Sequence, residues 1–106
     1  MEFLVLDVGG SSIKYAIMNE KAEFVEKGKT PTPMDTIEHF IDVVGTIFDK
    51  YNDRITGIAI SMPGRIDSDR GYLYTGGSLE YNTDTDLRTV ICIKHVYFLN
   101  SLHISL

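Results

Sequence analysis

The 106-residue chain has a single cysteine, Cys92. One thiol excludes an internal disulfide and is too few for a cysteine-based zinc site, so a cytoplasmic, reducing setting is expected. No basic stretch precedes the first apolar run, and Asp7 and two glycines interrupt it, so it reads as a strand rather than a signal peptide. No apolar run is long enough to span a membrane. Positive charge is in deficit, with 10 Lys and Arg against 15 Asp and Glu and a net charge of -5. That balance argues against a nucleic-acid partner, which needs a basic patch. Proline is scarce, at three residues. Two of them fall in Thr30-Pro31-Thr32-Pro33, which reads as a loop because neither proline can donate to a ladder.

What is present suits one small α/β domain: 43% hydrophobic and 24% charged residues, an ordinary globular composition. Glu2 to Val8 reads as a buried strand and Ile13 to Met18 as its antiparallel partner. Ala22 to Lys27 makes a third, shorter strand. Ile37, Phe40, Ile41, Val44, Ile47, Phe48 and Tyr51 then recur at helical spacing. Asp35 is the expected N-cap, with Glu38 completing a capping box. "ITGIAIS", Ile55 to Ser61, is a near-continuous apolar strand. Strand, helix, strand implies a right-handed crossover and a fourth strand parallel to the first. Arg65 to Asp67 and Tyr72 to Thr75 are short extended pieces about a turn. Asp86 to about Ile93 could start a second helix, and Leu102, Ile104 and Leu106 alternate like a strand.

The turn between the first two strands carries the chemistry. In "FLVLDVGGSSIKYAIM" a strand ends near Asp7, Gly9-Gly10-Ser11-Ser12 turn the chain, and Lys14 follows in the next strand. Glycines let backbone N–H groups approach a phosphate closely, and a serine hydroxyl adds a donor. A carboxylate at the strand end can hold Mg²⁺, mostly through water. A plain flexible hairpin is the alternative, and Lys14 reads equally as an exposed strand lysine. Neither the Walker nor the dinucleotide pattern is present, since both place phosphate at a helix N-terminus.

"DVGGSSIKYAI" resembles the first phosphate motif of the ROK (repressor, open reading frame, kinase) family of the actin-like, ribonuclease-H-like ATPase superfamily. Ser11 stands where that motif has threonine and keeps the hydroxyl. "GIAISMPGRIDSDRGYLYTGGSLEYN" is similar to the family's strand, Pro-Gly loop and sugar loop, in order. The resemblance implies the N-terminal lobe of a glucokinase-like sugar kinase: an antiparallel meander, a crossover helix and a parallel strand, incomplete as a lobe. It implies ATP and Mg²⁺ as cofactors and a hexose or N-acylhexosamine as substrate. Asp7, Gly9, Gly10, Ser11, Ser12 and Lys14 would face the nucleotide, with Asp7 at the metal. Gly64, Arg65, Gly76 and Gly77 would line the sugar cleft. Taken alone, Pro63-Gly64 is a plain turn and Arg65 a solvated turn residue. Tyr81 and Asn82 match a family-like position with a structural role.

The match then stops. The family has an Asn-Asp pair whose aspartate is the catalytic base; here Asn100-Ser101 stands near that place, and no acid follows Asp86. No catalytic residue is therefore assigned. Residues 1–88 are expected to form the ROK-type lobe and 89–106 a divergent tail, as a frameshift or truncated gene would leave. His95 and His103 fit no metal-ligand spacing. The competing readings are a non-catalytic sugar- or nucleotide-binding module, a homodimer formed through an uncovered sheet face, and a fragment of the family's repressor branch. A ribonuclease-H-type nuclease would need several converging carboxylates.

Overall fold

The computed structural model describes residues 1–94 and 102–105. Its main sheet has five strands: β1 (Glu2–Val8), β2 (Ser12–Asn19), β3 (Phe24–Pro31), β4 (Gly57–Ser61) and β8 (Leu102–Ser105), in the order β3-β2-β1-β4-β8. β1 to β3 form the expected antiparallel meander, and β4 runs parallel to β1. β8 runs parallel to β4 on its far side. A small second sheet joins β5 (Arg65–Asp67), β6 (Tyr72–Thr75) and β7 (Thr85–Asp86). No helix among the described residues is long and apolar enough to cross a membrane.

Alternation along β1 decides which face is buried. Leu4, Leu6 and Val8 are buried, whereas Val5 is half-buried and Asp7 exposed. Helix α1 (Ile37–Tyr51) lays Phe40, Ile41, Val44, Ile47, Phe48 and Tyr51 onto the buried face. Helix α2 (Leu87–Lys94) adds Leu87 and Ile91 to the same core, and β8 adds Ile104. The crossovers β1 to β4 and β4 to β8 step across the sheet in one direction. Right-handedness therefore puts both helices on one face, and the other face keeps no helix among the described residues.

Three local expectations need correction. The third strand runs on to Pro31, which pairs with Ser12. β3 is an edge strand, where a missing N–H costs no ladder bond. The N-cap of α1 is Thr36, not Asp35: its side chain accepts from the His39 N–H. Asp35 Oδ1 instead meets His39 Nδ1 at 2.8 Å, and that contact holds the Asp35 carboxyl below its usual range. Third, Asp86 ends β7 rather than opening the second helix, and β7 completes the small sheet by pairing with β6 across a gap too long for local patterning. His95, Asn100, Ser101 and Leu106, which carried earlier expectations, lie outside the described residues, as does the side chain of Cys92. His103 is exposed on β8.

Candidate functional site: three glycine loops at the end of the sheet

The hairpin turn that joins β1 to β2 is closed by Gly9, whose N–H donates to the Ser12 carbonyl at 2.9 Å. It is also held from the side by β3. The Thr32 N–H donates to the Ser11 carbonyl at 3.1 Å, and the Thr32 hydroxyl donates to the Gly9 carbonyl at 2.9 Å. Two carbonyls that would repel an anion are thereby occupied. Among the described residues no backbone hydrogen bond takes up the N–H groups of Gly10 and Ser11. Both residues are exposed. Exposed N–H groups without a backbone partner can donate to a phosphate.

Strand register lines up the charges beside this turn. Asp7 lies opposite Lys14 on β2 and Ser61 on β4, and Lys14 lies opposite Lys29 on β3. Lys29, Lys14, Asp7 and Ser61 so form one row across the ends of four strands, on the helix-free face. All four line an open groove of about 630 Å³ that continues over Val5, Ala16 and Met18. Asp7 is the one carboxylate in that lining. A single exposed carboxylate beside a hydroxyl fits Mg²⁺, which is commonly bound through one or two carboxylates, phosphate oxygens and several waters. No cluster of three or more His, Cys, Asp or Glu that could enclose a metal occurs among the described residues.

The expected sugar-loop glycines come together, and steric limits explain why they are glycines. Gly64 has φ +113, and a Cβ there would sit 2.1 Å from the Thr75 carbonyl oxygen. A Cβ on Gly76 would sit 1.9 Å from the Leu79 carbonyl oxygen, and one on Gly77 (φ +59) 2.9 Å from the Gly64 nitrogen. Real Cβ atoms do not approach backbone so closely, so larger residues would push the loops apart. The β1–β2 turn joins the same assembly: a Cβ on Gly10 would lie 3.3 Å from the Ser78 hydroxyl oxygen. The turns after β1, β4 and β6 are thus in direct contact. Arg65 is exposed; its N–H donates to the Thr75 hydroxyl at 3.1 Å and its guanidinium lies 5.3 Å from the centre of the Tyr74 ring.

Behind the Gly76-Gly77 loop, residues 80–82 form one 3-10 turn. The Tyr81 hydroxyl donates to the Pro33 carbonyl at 2.8 Å, and burial pushes its pKa up to about 12. Asn82 is fully buried, and among the described residues its amide oxygen and nitrogen have no partner. The sequence reading missed Thr32, Ser61 and Lys29. Each owes its place to long-range strand pairing, although the Thr30-Pro31-Thr32-Pro33 run was a visible signal that the segment is conformationally restricted.

The comparisons with known proteins agree with this geometry. The ROK family model matches residues 3–94. The chain is similar to N-acetyl-D-glucosamine kinase of Vibrio parahaemolyticus, 33% identical over 72 residues, which is 65% of this chain and 24% of that kinase. Its fold is similar to that of a ROK family glucokinase from Streptomyces griseus solved in complex with glucose and AMPPNP. The TM-score is 0.82 at 16% identity, over 98% of this chain and 32% of the other. A ROK hexokinase from Thermus thermophilus gives a TM-score of 0.81 at 18% identity, over 98% of this chain and 34% of that one. The chain thus spans about a quarter to a third of the length of these relatives. With the β1–β2 turn, the Pro63-Gly64 loop and the Gly76-Gly77 loop in contact, and with the family model covering most of its length, the chain belongs to the ROK family.

Proposed function

We propose that this chain provides the phosphate turn and sugar loops of an ATP-dependent hexose or N-acylhexosamine kinase of the cytoplasm, and does not phosphorylate sugar by itself. The observation that carries this reading is the contact of Gly10 with Ser78 and of Gly77 with Gly64. It brings an anion-binding turn within one residue's reach of a loop pair that the family uses for sugar. The Vibrio relative's name favours an N-acylhexosamine. AMPPNP, found with the Streptomyces glucokinase, is an ATP analogue and suits the free N–H groups of Gly10 and Ser11.

In this reading Gly9, Gly10, Ser11 and Ser12 hold ATP phosphates, and Lys14 adds positive charge. Asp7 holds Mg²⁺, which would supply charge neutralisation at the transferred phosphate. Gly64 and Gly76-Gly77 shape the sugar cleft, with Arg65 at its edge. Turnover needs more. A positioned general base is worth roughly 10²–10⁴-fold, and residues 87–106 hold no Asp or Glu to act as one. Holding two substrates in line is worth up to about 7–11 kcal/mol of barrier. Binding without that alignment leaves the barrier where it was.

Calorimetric titration with Mg-ATP and N-acetylglucosamine, with a coupled ADP-release assay, is the test. Expected are weak but measurable dissociation constants of about 1 mM, near -4 kcal/mol, loss of Mg-ATP binding in Asp7→Ala, and no sugar-dependent ADP release. Micromolar Mg-ATP binding, or turnover near one per second that Asp7→Ala abolishes (a rate of the order of ordinary enzymes), would overturn the proposal.

A second reading is favoured by the helix-free sheet face. Val5, Ala16 and Met18 lie half-buried there along the groove, and a second copy of the chain could cover them. Light scattering at increasing concentration separates the two: a dimer whose formation Val5→Lys prevents supports this non-catalytic pairing module.

A further inference from the structure

The Thr30-Pro31-Thr32-Pro33 run touches both halves of the site. Pro31 closes the β3 ladder opposite Ser12. Thr32 follows and is 4% exposed; its N–H and its hydroxyl both donate into the phosphate turn, at 3.1 Å to Ser11 and 2.9 Å to Gly9. Pro33 is buried and gives its carbonyl to the Tyr81 hydroxyl at 2.8 Å, at the back of the sugar loop. Two adjacent residues therefore hold the two loops, one each.

Sequence makes this connection stiff. The rings of Pro31 and Pro33 fix φ near -65°. A residue before proline is driven out of the helical region into an extended one. Thr32, directly before Pro33, is thus held to extended backbone, and its two hydrogen bonds to the turn hold its donors in place. Tyr81 is equally constrained: its ring packs on Phe40, centroids 6.0 Å apart, and Phe40 is fully buried in the core.

We propose that Thr32-Pro33 is a strap that sets the phosphate turn and the sugar loop at a fixed separation, which makes Thr32 and Tyr81 positioning residues for the two substrates. The substrate part of this inference rests on the phosphate and sugar reading above; the mechanical part does not. The strap engages the carbonyls of Gly9 and Ser11 and leaves the N–H groups of Gly10 and Ser11 without a backbone partner. Neither Thr32 nor Tyr81 is assigned to touch substrate.

Amide exchange in the full, ¹⁵N-labelled chain separates the mechanical part from the substrate part. The reporters are the Gly9 N–H, bonded across the turn, and the residue-32 N–H, bonded to Ser11. Three variants are compared: Thr32→Val, which removes only the hydroxyl; Thr32→Ser, which restores it; and Tyr81→Phe, which cuts the far end of the strap. Exchange at Gly9 is expected to rise at least five-fold in Thr32→Val and in Tyr81→Phe, and to return to within two-fold of native in Thr32→Ser. Mg-ATP affinity is expected to fall about ten-fold in Thr32→Val, equivalent to about 1.4 kcal/mol, with recovery in Thr32→Ser. If Tyr81→Phe speeds exchange only around residues 79–83 and leaves Gly9 unchanged, the two ends are not coupled and the strap is refuted. If Thr32→Ser is as impaired as Thr32→Val, the hydroxyl has no positioning role. A native chain that binds no Mg-ATP defeats the phosphate reading, while the exchange results still decide the strap. Should Thr32→Val fail to fold, Tyr81→Phe alone gives that decision.

Discussion

On one face of the five-stranded sheet Leu4, Leu6, Ile13, Ile17, Ile58 and Ile60 lie beneath two helices and are at most 3% exposed. On the other face their sequence neighbours Val5, Ala16 and Ala59 lie half open, beside exposed Asp7 and Lys14. The same strands make both faces: their alternation sets which face is apolar, and connectivity sets which face the helices cover. Two right-handed crossovers in one direction deliver every described helix to one side. The chain thereby keeps its stabilising surface apart from its polar row, and substitutions at Asp7, Lys14 and Ser61 fall where they disturb little packing. Most surface substitutions of that kind change stability by less than about 0.5 kcal/mol.

The largest test of this contrast removes part of the covered face. Cutting the chain after Arg88 deletes Ile91 and Ile104, 1% and 0% exposed, and with them β8. Truncating one buried isoleucine to alanine typically costs about 2–5 kcal/mol, and a small domain has a total stability of about 5–15 kcal/mol. The truncated chain should therefore lose its cooperative unfolding transition in circular dichroism. A folded product would mean that 89–106 is a tail foreign to the fold, as its lack of acid, glycine and proline suggests.

A smaller test compares two neighbours on β1. Leu4 is fully buried, and Leu4→Ala should cost about 2–5 kcal/mol in urea unfolding. Val5 points to the other face, and Val5→Thr keeps shape and β-propensity, so its cost should stay within about 0.5 kcal/mol. Equal losses would show that the open face is covered in solution. A Val5→Thr cost that grows with protein concentration would identify the cover as a second copy.

How much of this was legible beforehand follows the range of the interactions. The β1–β2 hairpin, α1 and the parallel β4 rest on local periodicity and on the crossover rule, and all three stand as expected. β5 and β6 match to the residue, because Ser68-Asp69-Arg70-Gly71 is a strong local turn signal. The misses need partners distant in sequence. Pro31 could be read as a strand residue once β3 was known to be an edge. Asp35 and Thr36 are adjacent, both good caps, and helix entry geometry chose between them. At the site, the family resemblance pointed to the motif residues, whereas the contact of Gly10 with Ser78 and the hold of Thr32 on Gly9 join segments far apart in the chain and were not legible.

The smallest effect belongs to Tyr81, which stands where the covered face meets the loops. Its ring rests on Phe40 in the core and its hydroxyl reaches Pro33 at the rim. Folded Tyr81 keeps its proton to about pH 12, held by burial. In the unfolded chain a tyrosine loses its proton near pH 10. Between about pH 10 and 12 the unfolded state thus binds fewer protons than the folded one, and stability must fall as pH rises. The contribution is fully present below about pH 10. Burial raises the Tyr51 phenol in the same direction, and its hydrogen bond to Glu26 adds to that effect. Tyr81→Phe should therefore reduce the alkaline slope without abolishing it. Urea midpoints at pH 9 and pH 11 for native and Tyr81→Phe chains measure this as a difference of differences. A slope unchanged by Tyr81→Phe would mean that the hydroxyl is open to water, and with it that the Pro33 end of the strap is loose.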